Sequence, residues 1–304
     1  MSRTAVMGAG APALVLASIL WGTTGTAASF FPDTVSPLAI GASTMGVGGL
    51  LLFVTSARMS VAALRDRAVR TWVLVGAIGV VIYPLAFYLS MDLAGIAIGN
   101  VVSLGTGPVF AALLEWVFER QRLSRRWLAC TVMAIIGVVL LAFGGHGAGP
   151  APSESVVPGI LSGIVAGFAY ALYTYASSRA IRAGAPSRGA MGSMFGVGAL
   201  VLVPVLLALG APLLQTGLTI GIAAYLALGP MFVAYLLFGI GMRTLSSSTA
   251  TTITLLEPFV ATILAVVVVG ERLDPLGWIG LALILGAITF LTTAGLPGRR
   301  QRPL

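Results

Sequence analysis

Apolar residues run through this chain in stretches of about twenty, separated by short polar links. Ten stretches can be marked: 12–31, 37–56, 71–91, 96–118, 127–143, 157–178, 189–209, 218–242, 248–270 and 275–294. About 20 apolar residues cross a bilayer as a helix, because in lipid each backbone polar group must be satisfied inside its own segment. The pattern predicts an all-α membrane protein with ten transmembrane helices. The links are mostly short, so consecutive helices should pack antiparallel. The longest link, residues 144–156, is rich in Gly, Pro and Ala. It divides the chain into two sets of five helices, 1–147 and 148–304.

The two sets resemble each other. The ninth stretch holds Glu257 immediately before Pro258 and closes in a polar turn, Gly270-Glu271-Arg272-Leu273-Asp274. A weaker copy lies 150 positions earlier: Pro108, Leu114 and Val117 match Pro258, Leu264 and Val267, and Arg122-Leu123 match Arg272-Leu273. With Ala111 opposite Ala261, that is six identities in the sixteen positions 108–123, the sign of one unit written twice. Five is odd, so the second unit enters the membrane upside down. Inverted repeats recur in secondary transporters, with the substrate site near the midplane between the halves. Duplication can also simply build a stable bundle. The intramembrane prolines and polar residues favour a transporter.

Composition and charge agree with this reading. Hydrophobic residues make up 58% of the 304 residues and charged residues 9%, with a mean hydropathy of +1.03. A soluble domain carries roughly 25% charged residues, so a large soluble core is excluded. All 17 basic residues are arginine, for a net charge of +8. With the N-terminus inside, every arginine except Arg272 falls on the inner side, a split of 16 to 1. Positive residues in cytoplasmic loops set orientation, so both termini are expected in the cytoplasm. The same distribution explains the charge without nucleic acid. Arg3, the first apolar run and Thr26-Ala27-Ala28 imitate a signal peptide, but cleavage would break the repeat, and an uncleaved first helix is expected. Cys130 lies in an apolar run and reads as a small filler. There is no Walker loop and no metal-ligand cluster, and the lone His146 falls in an external loop. No cofactor and no enzymatic activity are expected.

Candidate chemistry lies inside the spans. A helical proline removes one backbone donor and clashes with the carbonyl four residues back. Pro108 should free the carbonyl of Leu104, and Pro258 that of Thr254, making both candidate hinges, while Pro84 and Pro230 should add breaks. Glu257 is the one carboxylate near mid-span, where an ionisable residue is costly and should face protein or water. It could exchange a proton, bind a substrate ammonium, or merely support the kink at Pro258. Glu115 lies near the arginines at its helix end and reads as half of a local ion pair. Helical spacing puts Trp21, Thr24 and Ala28 on one face, and Tyr83, Phe87 and Ser90 on another. Asn100, Ser103 and Gly107 form a small-residue stripe, Gly163, Gly167, Tyr170 and Thr174 a second with Tyr173 adjacent, and Thr254 aligns with Glu257. Small-residue stripes more often mark close packing, yet Tyr83, Phe87, Asn100, Ser103 and Tyr170 together would line a cavity suited to an amphipathic solute. Trp21, Tyr173, Thr254 and Glu257 complete the candidate substrate site.

The Leu20-Trp21-Gly22 run in the first span, Leu256-Glu257-Pro258 in the ninth, and Gly270-Glu271-Arg272-Leu273 before a last helix with Gly277, Gly280 and Gly286 resemble the drug/metabolite transporter superfamily, built from two EamA-type repeats of five helices. The resemblance covers nearly the whole chain. The first repeat departs from the pattern, with Gly107-Pro108 in place of Glu257-Pro258 and Gln121 in place of Glu271. Within the superfamily the chain is most similar to the bacterial YddG-type exporters. That similarity implies a monomeric inner-membrane carrier moving neutral, including aromatic, amino acids outward by alternating access. Its partners would be the small-molecule substrate and the lipid bilayer, with protons as candidate coupling ion. Export of other amphipathic metabolites or drugs is the alternative within transport. A non-transporting membrane scaffold is the alternative outside it.

Overall fold

The structure is a computed structural model that describes residues 10–32, 34–94, 96–120, 123–143, 153–269 and 274–293. Every regular element among them is helical. The helices are α1 (Gly10–Ala28), α2 (Pro37–Thr55), α3 (Ala57–Arg65), α4 (Arg67–Ala94), α5 (Ile96–Glu119) and α6 (Arg125–Phe143). After the link come α7 (Ser153–Arg182), α8 (Ser187–Leu209), α9 (Gly217–Leu226), α10 (Ala234–Gly241), α11 (Ser247–Ile253), α12 (Leu256–Leu264) and α13 (Pro275–Thr293). Seven helical stretches are long and apolar enough to cross a membrane: α1, α2, α4, α7 and α8, with Gly217–Gly241 and Ser247–Val268. The Gly270–Leu273 turn, the link at 144–152 with His146, and Arg3, Gln121, Arg122 and the tail arginines lie outside the described residues.

Local chemistry sets the boundaries. Ser36 caps α2 by accepting from the Ala39 amide at 3.2 Å, with Pro37 at the first helical position, where no donor is lost. The sequence pattern passed over α3, a nine-residue helix lying across the link between α2 and α4. Its Ser60 and Ala63 are buried, and the helix packs on α8. Two arginines hide such a short helix from any search for apolar runs.

The prolines of the spans correct the expectations drawn for them in different ways. α4 runs through Pro84 without a break. Around Pro230 the helix widens into a π-helical segment, Ala227–Val233, before α10 resumes. The wider turn removes the clash with the preceding carbonyls. Between α11 and α12 the chain turns at Thr254 and Leu255, so the break precedes Pro258 rather than centring on it. The Thr254 carbonyl is not freed: it accepts from the Glu257 amide at 2.9 Å. Pro258 sits in the first turn of α12, where a missing donor costs little. Pro108, its counterpart, lies inside an unbroken α5.

Helices from the two sets pair across the bundle. The most extensive contacts are α4 with α7, α2 with α8, α6 with α13 and α5 with α7, followed by α1 with α12 and with α10. Glycines permit the close approaches: a Cβ on Gly49 would lie 2.7 Å from the Phe195 carbonyl oxygen, and one on Gly79 2.6 Å from that of Ala169. This is how helices associate where lipid offers no hydrophobic drive.

Candidate functional site

Seven rings form a connected belt at the centre of this bundle. Tyr88 packs on Phe87 with centroids 5.5 Å apart, Phe87 on Tyr83 at 5.5 Å, and Tyr83 on Tyr170 at 5.6 Å and Tyr173 at 5.9 Å. Tyr173 continues to Tyr235 at 6.2 Å, and Tyr235 to Trp21 at 5.1 Å. All seven face a cavity of ≈ 80 Å³ that Glu257 also lines. A buried water needs roughly 10–15 Å³ measured this way, so this conformation has room for a solute of several heavy atoms.

Each wall has a local reason to be there. α1 brings Trp21 and Thr24; its Gly22 lies against α12, where a Cβ would come within 2.5 Å of Val260 and 3.0 Å of the Glu257 carbonyl. α2 contributes Gly41, Thr44 and Met45, and a Cβ on Gly41 would strike the Tyr88 ring at 2.7 Å. The floor includes Pro230 and Met231 from the π-helical segment. Two tyrosines use their hydroxyls to hold the frame: Tyr170 bonds Thr254 Oγ1 at 2.6 Å, and Tyr173 bonds Tyr235 at 2.8 Å. Tyr170 thus ties the cavity wall to the break between α11 and α12.

Of the residues proposed from sequence, the cavity brings together Trp21, Tyr83, Phe87, Tyr170, Tyr173 and Glu257. Thr254 stands behind the wall, bonded to Tyr170. Asn100 and Ser103 do not line the cavity. Ser103 is fully buried where α5 passes α7, and a Cβ on Gly167 would lie 2.8 Å from its carbonyl. The stripe reflects close helix packing. Tyr88 and Tyr235 were missed, although a signal existed: five of the seven tyrosines in the chain face this cavity. A tyrosine in mid-membrane needs company for its hydroxyl.

Glu115 differs from its expected role. It is 2% exposed and forms no local ion pair. Its carboxylate accepts from the Ser247 hydroxyl at 2.6 Å, the Ser248 hydroxyl at 2.6 Å and the Ser248 amide at 3.1 Å. It therefore caps the N-terminus of α11 from outside, as helix ends and their dipole favour. The ion pair belongs to Glu119, which accepts from Arg182 at 2.7 and 2.8 Å and lies 3.5 Å from Arg179. Arg179 also stacks over Trp72 at 4.8 Å, and Arg126 donates to the carbonyls of Phe290 and Leu291. These contacts knit the arginine-bearing end of the bundle. The cavity leans the other way, towards the last turns of α1 and α4 and the first turns of α2.

The sequence profile of the EamA-like transporter family matches this chain twice, over residues 8–143 and 157–293. The chain belongs to that family. Both copies of the repeat fall within it. An uncharacterized transporter of Bacillus subtilis, YwfM, is 31% identical over 92% of this chain and 93% of its own length. A probable terminal-alkyne amino-acid exporter of Streptantibioticus cattleyicolor is 26% identical, covering 95% of each chain. A solved crystal structure superimposes with a TM-score of 0.77 over 95% of this chain and 96% of its own, at 23% identity. That likeness speaks to the fold alone. The chain is thus a multi-pass membrane transporter, with seven clear candidate spans.

Proposed function

We propose that this EamA-family transporter is an inner-membrane exporter of small amphipathic metabolites, neutral and aromatic amino acids among them. It works by alternating access through the aromatic cavity. One observation carries the reading: Glu257 and seven aromatic rings enclose a cavity beside a broken helix in a protein of transporter lineage. The name of the Streptantibioticus relative supports both the amino-acid class and the outward direction.

The reading includes ten spans in two inverted units, 1–147 and 148–304, with both termini in the cytoplasm. The helix pairings support it. Shift every partner by five spans and the pairs α2–α8 and α6–α13 map onto themselves. α4–α7 exchanges with α1–α10, and α5–α7 with α1–α12. Such an exchange is what a pseudo-two-fold axis in the membrane plane produces. The arginine-bearing end, knitted by Glu115, Glu119 and Arg126, is then the closed cytoplasmic side. Glu257 and the break before it form the centre, Pro258 starts the mobile half-helix, and Pro108 is the static counterpart in the other repeat.

Transport is tested with the purified chain in proteoliposomes, using a panel of amino acids with and without a pH gradient. Uptake or exchange of neutral amino acids is expected; no movement of any panel member would remove the reading. Acceleration by the gradient would identify protons as the coupling ion. Orientation is tested separately, after replacing Cys130 with Ala. A cysteine at position 65 should resist an impermeant thiol reagent in intact cells, and one at position 153 should react. The reverse pattern overturns the orientation.

A further inference from the structure

The cavity holds an acid and no base. Glu257 lines it, and among the described residues its carboxylate has neither a hydrogen-bond donor nor an ion-pair partner. Among the described residues no arginine or histidine lines the wall, and the chain has no lysine. The rings of Trp21, Tyr83, Tyr173 and Tyr235 line the same cavity, and aromatic rings are groups on which cations can rest. Both features attract positive charge, and desolvation strengthens each.

A carboxylate on the ligand would find little in return. A broken helix commonly offers free amides to an anion; here the two amides that flank the turn are already engaged. The Leu255 amide donates to the Thr252 carbonyl at 3.2 Å, and the Glu257 amide to the Thr254 carbonyl at 2.9 Å. Pro258 has no amide proton. The Tyr170 hydroxyl is engaged with Thr254, and of Tyr173 and Tyr235 one donates its hydroxyl proton to the other. The donors that remain, among them the Tyr83 hydroxyl and one of the Tyr173–Tyr235 pair, are neutral and share the cavity with the Glu257 carboxylate.

We propose that the site selects a cationic head group: its preferred ligands are small monovalent organic amines, and a zwitterion of the same carbon skeleton binds more weakly. This rests on the reading of the cavity as the substrate site. Matched pairs test it on the full chain in detergent or nanodiscs: isobutylamine against valine, and phenethylamine against phenylalanine, with isovalerate and isobutanol as anionic and neutral controls. Titration calorimetry should show each amine binding roughly tenfold or more tightly than its amino acid, and isovalerate weakest of all. Glu257→Gln should abolish the preference for amine over isobutanol, and Glu257→Asp should keep it; a monodisperse elution profile confirms that both variants are folded. Valine and phenylalanine binding as tightly as their amines would overturn the proposal while leaving the transport reading in place. Amine affinity unchanged in folded Glu257→Gln would overturn it equally. Binding of none of the compounds would remove both.

Discussion

Glu115 and Glu257 each lie within one of two related apolar helical stretches, and the structure treats them oppositely. Glu115 in α5 is sealed and receives three hydrogen bonds from the start of α11. Glu257 in α12 faces a cavity with its acceptors unused. Neither has a counterpart at the 150-residue offset, where Gly107 and Ala265 stand. The contrast separates two reasons for keeping an acid in lipid. A fully bonded carboxylate organises backbone and neighbouring helices; an unbonded one beside a cavity is available to a ligand.

The largest expected effect breaks this contrast if it fails. Glu115→Ala leaves two hydroxyls and one amide buried without an acceptor. Hydrogen bonds to charged groups contribute about 1.5–3 kcal/mol each, so a loss of about 3 kcal/mol or more is expected even after partial relaxation. Glu257→Gln removes no bond within the protein and should change stability by less than about 1 kcal/mol. Unfolding of both variants in the same detergent, followed by circular dichroism, measures the difference. Equal losses would mean that the two acids do the same job.

The residues of α11 show why one acid could be misjudged from sequence. Ser247 to Ile253 are all buried, although five of the seven carry hydroxyls. Thr251 and Thr252 return their protons to carbonyls of the preceding turn, Thr252 also meets Thr131 at 2.9 Å, and Ser247 and Ser248 give theirs to Glu115. Depth along a helix was legible in the sequence, so Glu257 stood out and Glu115 looked peripheral. The partner of Glu115 lies 132 positions away, and pairing at that distance depends on tertiary packing. For the same reason the all-helical class was readable from apolar length, while the short α3, the π-helical turn at Pro230 and the break before Pro258 were not. Tyr83, Phe87, Tyr170 and Tyr173 were found because large rings at helical spacing are conspicuous; Gly41 and Met45 carry no such mark.

A smaller effect sharpens the account of the break. Tyr170 and Thr254 share a 2.6 Å hydrogen bond that joins the cavity wall to the turn between α11 and α12. Tyr170→Phe and Thr254→Val should each cost about 1 kcal/mol, and their double-mutant cycle should show coupling of about 0.6–1.7 kcal/mol, as interhelical bonds in membranes do. Transport should fall several-fold in either single variant and little further in the double. Additive losses would mean that the wall and the break act independently.

The smallest effect compares the two prolines themselves. Pro108 lies within continuous α5, so the Leu104 carbonyl lacks the donor that residue 108 would ordinarily supply. Pro258 lies in the first turn of α12, and the carbonyl it would have served already accepts from Glu257. Pro108→Ala can therefore restore a helical bond, with an expected gain of up to about 1 kcal/mol where the surroundings relax. Pro258→Ala has no such gain available and should stay within about 0.5 kcal/mol of the parent. Transport reads the other half of the comparison. If the turn at Thr254 and Leu255 is set by local hydrogen bonds and by Tyr170, Pro258→Ala keeps the break and most of the activity. Should Pro258→Ala instead stabilise the protein and stop transport, the proline itself would be holding two half-helices apart, and the break would be a property of residue 258 after all.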